Sequence, residues 1–448
     1  MKLSSLLKKY NVAAPRYTSY PTVPYWENEN FSREKWLAAL RESYNQHRNQ
    51  GISVYIHLPF CESLCTYCGC NTRITKNHGV EIPYINGLIK EWEMYGAILG
   101  EKPKIKELHL GGGTPTFFSA QNLKTLLTAI LGDNLLAQDI ECSFEGHPDN
   151  TTTEHLQILA QLGFKRLSLG IQDFDPKVQF MINRFQTPQQ MANITLAARA
   201  LAYQSVNFDL IYGLPGQTLS GLTSTIAEVI ALKPDRIAFY SYAHVPWLKP
   251  GQRHYTESDI PQGDEKFALY ENGKQMLLNA GYQEIGMDHF ALPTDSLSKA
   301  GQSQQLHRNF MGYTHQATNI LVGLGVSSIS DCGSAFAQNA KTVEGYFSYL
   351  ERDALAVEKG HILSEEDRAI RQHILNIMCN NATTFDGEIP DVIQQRLHPL
   401  INDELISIIG NEVCVLPLGK SFLRNICMAF DERLWQKQPE TSLFSAAI

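Results

Sequence analysis

Residues 52–70 read Ile52-Ser53-Val54-Tyr55-Ile56-His57-Leu58-Pro59-Phe60-Cys61-Glu62-Ser63-Leu64-Cys65-Thr66-Tyr67-Cys68-Gly69-Cys70. The first seven form a short β-rich run, and Pro59-Phe60 leads from it directly into the cysteines. Four of the nine cysteines in the 448-residue chain fall within residues 61–70. A strand that ends in a ligand-rich loop is how α/β proteins build sites, at the carboxyl rim of a parallel sheet.

Five more β-rich runs follow at Ile105–Leu110, Ile140–Phe144, Arg166–Ile171, Val206–Ile211 and Arg236–Tyr242. The segments between them repeat apolar residues at helical spacing. Ile85, Leu88, Ile89, Trp92 and Tyr95 make one such face, and Leu219, Leu222, Ile226, Val229 and Ile230 another. Leu156, Leu159 and Leu162 before Gly163 read as a helix with a glycine C-cap. Six strand–helix units predict a parallel sheet with right-handed crossovers. An open doubly wound sheet and a curved, incomplete TIM-like barrel both satisfy this pattern.

Residues 1–45 lack the alternation and contain Pro15-Arg16-Tyr17-Thr18-Ser19-Tyr20-Pro21-Thr22, a polar-aromatic run suited to an ordered arm. A Ser/Gln-rich loop is expected at 292–305. Beyond about 360 the pattern turns to helices with one hairpin signal, Leu405–Ile409, Gly410-Asn411, Glu412–Leu416. The expected organisation is an N-terminal arm over the site (1–45), a catalytic α/β unit (46–345) and a small, mainly helical C-terminal domain (346–448). That agrees with two or three domains of roughly 150 residues.

Apolar residues at 43% and charged ones at 19% exclude a largely disordered or collagenous chain. A net charge of −8 argues against nucleic acid or an anionic membrane as partner. A winged-helix nucleic-acid binder is the alternative for the C-terminal region, but residues 365–431 carry 5 basic against 10 acidic side chains. No apolar window reaches the length of a spanning helix. Met1–Lys9 has too short an apolar stretch for a signal peptide, which points to the cytoplasm.

An odd number of cysteines in a reducing compartment favours metal or redox chemistry over a disulfide framework. Packing is the default for the scattered Cys142, Cys332, Cys379, Cys414 and Cys427. Cys61, Cys65 and Cys68, at x3 and x2 spacing on one loop, can converge on three irons of a [4Fe–4S] cubane and leave the fourth open. Thiolate softness also suits zinc, although structural zinc usually draws on two separated knuckles. Cys70 is ambiguous. As a fourth ligand it makes the cluster an electron carrier; otherwise the open iron can take a substrate or cofactor.

The other strand ends carry polar or side-chain-free residues. Gly111-Gly112-Gly113-Thr114-Pro115-Thr116 lacks the Gly-Lys-Ser/Thr of a P-loop and the third glycine of a dinucleotide fingerprint. Bare backbone there lets a ligand approach closely. Glu145, Gln172, Asp209 and Ala243-His244 mark the ends of the later strands. Together with the cysteine loop they predict a shared polar-ligand pocket.

Cys61-x3-Cys65-x2-Cys68 with Tyr67 before the last cysteine resembles the signature of the radical S-adenosylmethionine (SAM) enzymes. Tyr55–Cys61 through Cys68-Gly69-Cys70-Asn71 is similar to the oxygen-independent coproporphyrinogen III dehydrogenase family. So are the arm Pro15–Thr22, Arg166–Phe174, Asp209–Pro215, His307–Phe310, Gly325–Ser330 and Arg424–Phe430, and the resemblance spans nearly the whole chain. It implies an α/β fold, a partial (β/α)6 TIM-like barrel, with one [4Fe–4S] cluster on Cys61, Cys65 and Cys68 and two SAM molecules. By position, Tyr55, Gly112, Glu145 and Ile329 contact the SAM that chelates the open iron, and Tyr67 and Gly69 line the same pocket. Gly113, Thr114, Gln172, Arg184, Asp209 and Ala243 hold the second SAM. Gly146-His147-Pro148 departs from the family pattern, so a difference is expected in the surroundings of Glu145.

The family's chemistry cleaves SAM to a 5′-deoxyadenosyl radical, which takes a hydrogen from the β-carbon of a propionate. Loss of carbon dioxide and one electron leaves a vinyl group, twice over, turning coproporphyrinogen III into protoporphyrinogen IX. A tetracarboxylate calls for local positive charge, for which Arg16 on the arm and Arg308 beside His307 are the candidates. The resemblance also implies a flavodoxin-like electron donor and a monomer. Haem-chaperone relatives typically lack the arm and Cys70, both present here. A radical methyltransferase or haem-degrading relative and a zinc-stabilised interaction protein are the remaining alternatives.

Overall fold

The computed structural model describes residues 3–132, 140–437 and 444–445; Met1, Lys2 and the end of the expected C-terminal domain lie outside them. The six β-rich runs are strands: β1 (Ile52–Leu58), β2 (Ile105–Gly112), β3 (Glu141–Gly146), β4 (Phe164–Gln172), β5 (Ser205–Tyr212) and β6 (Arg236–Ser241). They pair in chain order, each parallel to the next. Sequential order lacks the reversal that a doubly wound sheet needs, so the barrel is the form adopted. The strands belong to a 12-stranded sheet whose edges, Val357–Ile362 and Gln283–Gly286, do not pair with each other. The barrel is therefore open along one side.

Alternation along each strand sorts side chains to two faces. Leu108, Leu110, Phe144, Leu169, Phe208 and Leu210 join the apolar core. Glu107, His109, Ser143, Glu145, Asn207 and Asp209 face the lumen. Helix Glu81–Leu99 buries Ile85, Leu88, Trp92 and Tyr95 of its expected face, with Ile89 partly buried against the core. Leu219–Leu232 buries Leu222, Ile226 and Val229, whereas Leu219 in the first turn stays 48% exposed. Thr153–Gln161 ends at Leu162 and Gly163, whose φ of 91° suits glycine.

Three expectations need correction. Residues 1–45 are not all arm: Arg33–His47 is a helix, N-capped by Ser32 and burying Trp36, Leu40 and Tyr44. The Ser/Gln-rich loop contains helix Ser296–Gln302, because the Asp295 carboxylate caps the Leu297 N–H at 2.8 Å and Leu297 and Ala300 are buried. The boundary at 345 falls too early, since Val357–Ile362 pairs antiparallel with Ala335–Asn339 and extends the barrel sheet. Past it, helices Glu365–Asn380 and Asp391–Asn402 accompany a small three-stranded sheet. The hairpin is where expected, with Gly410 at φ 64°.

One buried carboxylate holds a turn beside the barrel mouth. Glu91 accepts hydrogen bonds from the Gly325 N–H (2.8 Å), Tyr346 Oη (2.7 Å) and Asn339 Nδ2 (2.7 Å). Asn339 also donates to the Gly325 carbonyl at 2.9 Å and to Ser328 Oγ at 3.2 Å, fixing the turn that leads into Ile329. Burial pushes the Glu91 carboxyl up to about 7 despite these bonds. Folding thus favours its protonated form, and stability falls as pH rises from its ordinary 4.5 to about 7, then levels. Glu91→Gln should lower stability by about 1–3 kcal/mol, from acceptors lost to buried donors. It should also flatten the dependence of Tm on pH between about 5 and about 7, read by thermal melts across that range.

Candidate active site

Beyond Pro59, Phe60–Cys61 pairs in parallel with Arg73–Ile74 and turns the intervening loop back on itself. The four cysteines of this loop are free thiols that line one cavity of about 440 Å³. Cys61 Sγ lies 3.2 Å from Thr114 Oγ1, Arg184 Nη1 donates to Cys65 Sγ at 3.6 Å, and the Cys70 N–H donates to Cys68 Sγ at 3.4 Å. Hydrogen bonding from Cys70 brings the Cys68 thiol down to about 6 against the effect of burial. Burial pushes the Cys61 thiol up to about 11.

Among the described residues no three His, Cys, Asp or Glu side chains converge on a single-ion position. A cubane holds its irons at separate corners, so its thiols need not meet at a point. Three thiols, with one N–H donor, a hydroxyl and a guanidinium at the sulfurs, fit an anionic iron–sulfur cluster.

The second strand touches this loop through bare backbone. A Cβ on Gly113 would lie 2.6 Å from the Pro59 carbonyl oxygen and 3.1 Å from Cys61 Sγ. The Gly113 and Thr114 N–H groups donate to Leu58 and Phe60 carbonyls at 2.9 and 3.1 Å. Gly112, at φ 116°, donates its N–H to Glu145 Oε2 at 3.3 Å. Burial raises the Glu145 carboxyl, yet His109 and the Gly112 N–H together hold it below its ordinary range.

Glu145 separates the cysteine cavity from a second one of about 240 Å³, bordered by Tyr55, His57, His109, Met311 and Ile329. Tyr55 Oη meets His57 Nδ1 at 3.0 Å. A third cavity of about 160 Å³ occupies the barrel lumen and shares Glu145, Asp209 and Tyr240 with the first. Burial and the neighbouring Glu145 push the Asp209 carboxyl up to about 6, opposed by hydrogen bonds from Asn207 and Ser168.

The expected residues gather around these spaces. Tyr67, Gly69, Gly112, Gly113, Thr114, Gln172, Arg184 and Asp209 border the cysteine cavity, and Tyr55 and Ile329 the second. Ala243 borders neither; its carbonyl accepts from Gln252 Nε2 at 3.2 Å, and the same amide holds the Tyr67 carbonyl at 3.1 Å. Arg16 and Arg308 stand apart from the thiols and adjoin the lumen wall. Arg16 Nη2 donates to the Ser241 carbonyl at 2.8 Å, with its guanidinium over the Tyr240 ring at 5.9 Å. Arg308 is buried over the Tyr313 ring at 4.5 Å, with Nε and Nη1 lacking a hydrogen-bond partner. At the departure from the family pattern, a Cβ on Gly146 would meet Thr151 Oγ1 at 2.6 Å, and the His147 N–H donates to Thr116 Oγ1 at 3.3 Å. Glu145 itself accepts from the Gly112 N–H and meets His109 Nε2 at 3.4 Å.

A reading of strand ends misses His109, Ser143 and Asn207, which line the lumen one layer deeper. Their signal is alternation: polar residues at every second position of strands whose other positions are apolar.

Gly113→Ala should displace the cysteine loop and destabilise the protein by about 1–3 kcal/mol, because the new methyl meets backbone. Gly69→Ala, with nothing within 4 Å of the added Cβ, should stay within about 0.5 kcal/mol. Thermal melts and cluster content after reconstitution separate the two.

A model of the radical SAM superfamily matches residues 55–229. The chain is 39% identical over 443 residues to an oxygen-independent coproporphyrinogen III oxidase of Pseudomonas aeruginosa, covering 96% of each chain. It is 36% identical to the Synechocystis sp. protein of the same name, covering 99% of this chain and 98% of that one. The solved structure of coproporphyrinogen III oxidase from Escherichia coli, described as a radical SAM enzyme, matches with a TM-score of 0.88 and 33% identity, over 96% of this chain and 98% of that one. Sequence identity over nearly the whole length, together with a shared fold, places the chain in the oxygen-independent coproporphyrinogen III oxidase family of the radical SAM superfamily.

Proposed function

We infer that the protein carries out the anaerobic oxidative decarboxylation of coproporphyrinogen III, converting two propionate side chains to vinyl groups and giving protoporphyrinogen IX. The observation that carries this reading is a cavity lined by the four clustered cysteines and joined to a polar lumen through Glu145, Asp209 and Tyr240, in a chain that matches its relatives over nearly its whole length. A bound [4Fe–4S] cluster with SAM supplies hydrogen abstraction at a propionate β-carbon, after which carbon dioxide and one electron leave.

Cys61, Cys65 and Cys68 are the proposed iron ligands, with Cys70 acting on Cys68 through its N–H. The proposal of two SAM molecules rests on the resemblance to the family, and the cavities on either side of Glu145 offer room for them. Tyr55, Gly112, Glu145 and Ile329 would hold one, beside Tyr67 and Gly69. Gly113, Thr114, Gln172, Arg184, Asp209 and Ala243 would hold the other. The Arg184 guanidinium offsets negative charge at Cys65 and is itself fixed by the Gly170 carbonyl at 2.6 Å.

Arg16 and Arg308 are the proposed anchors for substrate carboxylates. Arg308 is buried with two guanidinium donors unpartnered, a cost that a carboxylate relieves, whereas Arg16 is half-buried and already meets the Ser241 carbonyl and Asp288 at 4.0 Å. The reading includes a cytoplasmic monomer served by a flavodoxin-like donor, without nucleic acid or membrane as partner. No helix of the described residues is long and apolar enough to cross a membrane.

The deciding experiment is anaerobic incubation of reconstituted protein with SAM, dithionite and coproporphyrinogen III. Protoporphyrinogen IX and carbon dioxide are expected; stoichiometric haem binding without decarboxylation would point to a chaperone instead. Arg16→Ala and Arg308→Ala should each raise the substrate KM by about tenfold or more, the scale of a lost charged hydrogen bond. Iron and sulfide content should stay unchanged, and wild-type kinetics in both variants would dispose of the anchor assignment.

A further inference from the structure

Four basic side chains gather where the arm, the barrel rim and the C-terminal region meet. Arg16 comes from the arm, Lys266 from helix Gly263–Asn279, and Lys420 and Arg424 from late in the chain. Arg16, Lys420 and Arg424 border a cavity of about 30 Å³ together with Tyr212 and Ser241, the last residues of β5 and β6. Asp288, 7% exposed, is the single carboxylate on its wall among the described residues. Lys266 stands beside the cavity, its Nζ donating to the Tyr242 carbonyl at 3.2 Å and lying 6.0 Å from the centre of the Tyr212 ring.

Carbonyl oxygens, which bring no net charge, take hydrogen bonds from three of these cations: Arg16 donates to Ser241 at 2.8 Å, Arg424 to Ala14 and Pro15, and Lys266 to Tyr242. Lys420, part-buried, has no hydrogen-bond or ion-pair partner among the described residues. Asp288 Oδ2 lies 4.0 Å from Arg16 Nη1, and its one charge faces Arg308 and Arg424 as well. The cations also act on one another. Burial, then Arg424 and Arg16, bring the Lys266 ammonium down to about 8, and burial, then Arg16, brings the Arg424 guanidinium down to about 10. Three cations against one carboxylate leave positive charge around the cavity that a bound anion offsets. The space takes a group no larger than about two waters, which is the size of a carboxylate.

We propose that this pocket is a carboxylate subsite, separate from the lumen, that holds a propionate of the substrate which the reaction leaves intact. The proposal rests on the function inferred above, in which two of the four propionates are retained. Arg16 links the pocket to the lumen: its guanidinium stands 5.9 Å over the ring of Tyr240, which lines the lumen, and donates to Ser241 on the pocket wall. Among the described residues the pocket and the cysteine cavity have no lining residue in common. A carboxylate seated there is held away from the thiol loop, where hydrogen abstraction begins. Bound between Arg16 and Lys420, it also bridges the arm to the C-terminal region.

The test is equilibrium binding of coproporphyrin III, the unreactive aromatic form of the substrate, to reconstituted full-length protein, followed by porphyrin fluorescence. Lys420→Ala should weaken binding about tenfold, and Lys420→Arg should restore most of the loss. Protoporphyrin IX, which carries only the two retained propionates, should lose affinity by the same factor. Iron content should match wild type in both variants. Equal affinities of wild type and Lys420→Ala would overturn the proposal, as would no binding of coproporphyrin III by the wild type. A loss confined to coproporphyrin III would also overturn it, by putting a reacting propionate in the pocket. If acetate or chloride raises the Tm of the wild type but not of Lys420→Ala while porphyrin affinities stay equal, the pocket is a site for a free anion and the proposal falls. Failure of the wild type to form protoporphyrinogen IX while still binding coproporphyrin III would instead sink the inferred function, because the pocket is read from binding alone.

Discussion

Every barrel strand has to satisfy two environments at once, an apolar helix layer outside and a narrow polar lumen inside. Buried polar groups are tolerated only when they are hydrogen-bonded, and in the lumen the partners are each other. His109 Nδ1 meets Ser143 Oγ at 2.7 Å, and Asp209 accepts from Ser168 at 3.1 Å and from Asn207 at 2.8 Å. Glu107 accepts from Ser53 at 2.7 Å and from Thr314 at 2.9 Å. Parallel register sets these groups side by side, with Glu145 opposite Ser168 and Gly170 opposite Asp209. The active rim is the upper layer of this lattice. Its acids stay where the layers below hold them, and their mutual repulsion is part of what raises Asp209.

The mouth above that lattice is positioned from outside the barrel. Glu91 and Asn339 fix the turn before Ile329, and Tyr84 Oη ties the same turn to β1 by bonding the Val326 N–H and the His57 carbonyl, each at 2.9 Å. Glycines let the pieces meet: Gly325 lies where a Cβ would come 2.5 Å from Tyr84 Oη and 2.7 Å from the His57 carbonyl. Side-chain-free backbone and a buried carboxylate thus do the same work, bringing a loop from far along the chain onto the first strand.

The fold was legible in the sequence where one short-range rule governed. Period-two runs separated by helical spacing gave all six strands, and the clustered thiols marked the rim. Readings that depended on distant partners fared worse. Val357–Ile362 reads as an isolated segment until Ala335–Asn339 offers it an edge. Helix Ser296–Gln302 hides in a polar composition because its signal is a single capping Asp295 and two buried side chains. His109 and Asn207 are ordinary polar residues until closure of the barrel places them inside. The resemblance supplied candidate residues, and the structure supplied the walls between the three spaces.

Much of the arm is fastened to the far end of the chain. Arg424 donates to the Ala14 and Pro15 carbonyls, Tyr17 Oη donates to Asp431 at 3.0 Å, and Lys9 and Tyr10 both reach Asp403. The bond from Arg424 to Pro15 joins residues 409 positions apart. Synthesis therefore releases the arm first and its clasp last. While the barrel is emerging from the ribosome, these fastenings do not yet exist, and the arm gains its anchor only when the last stretch of polypeptide has been made.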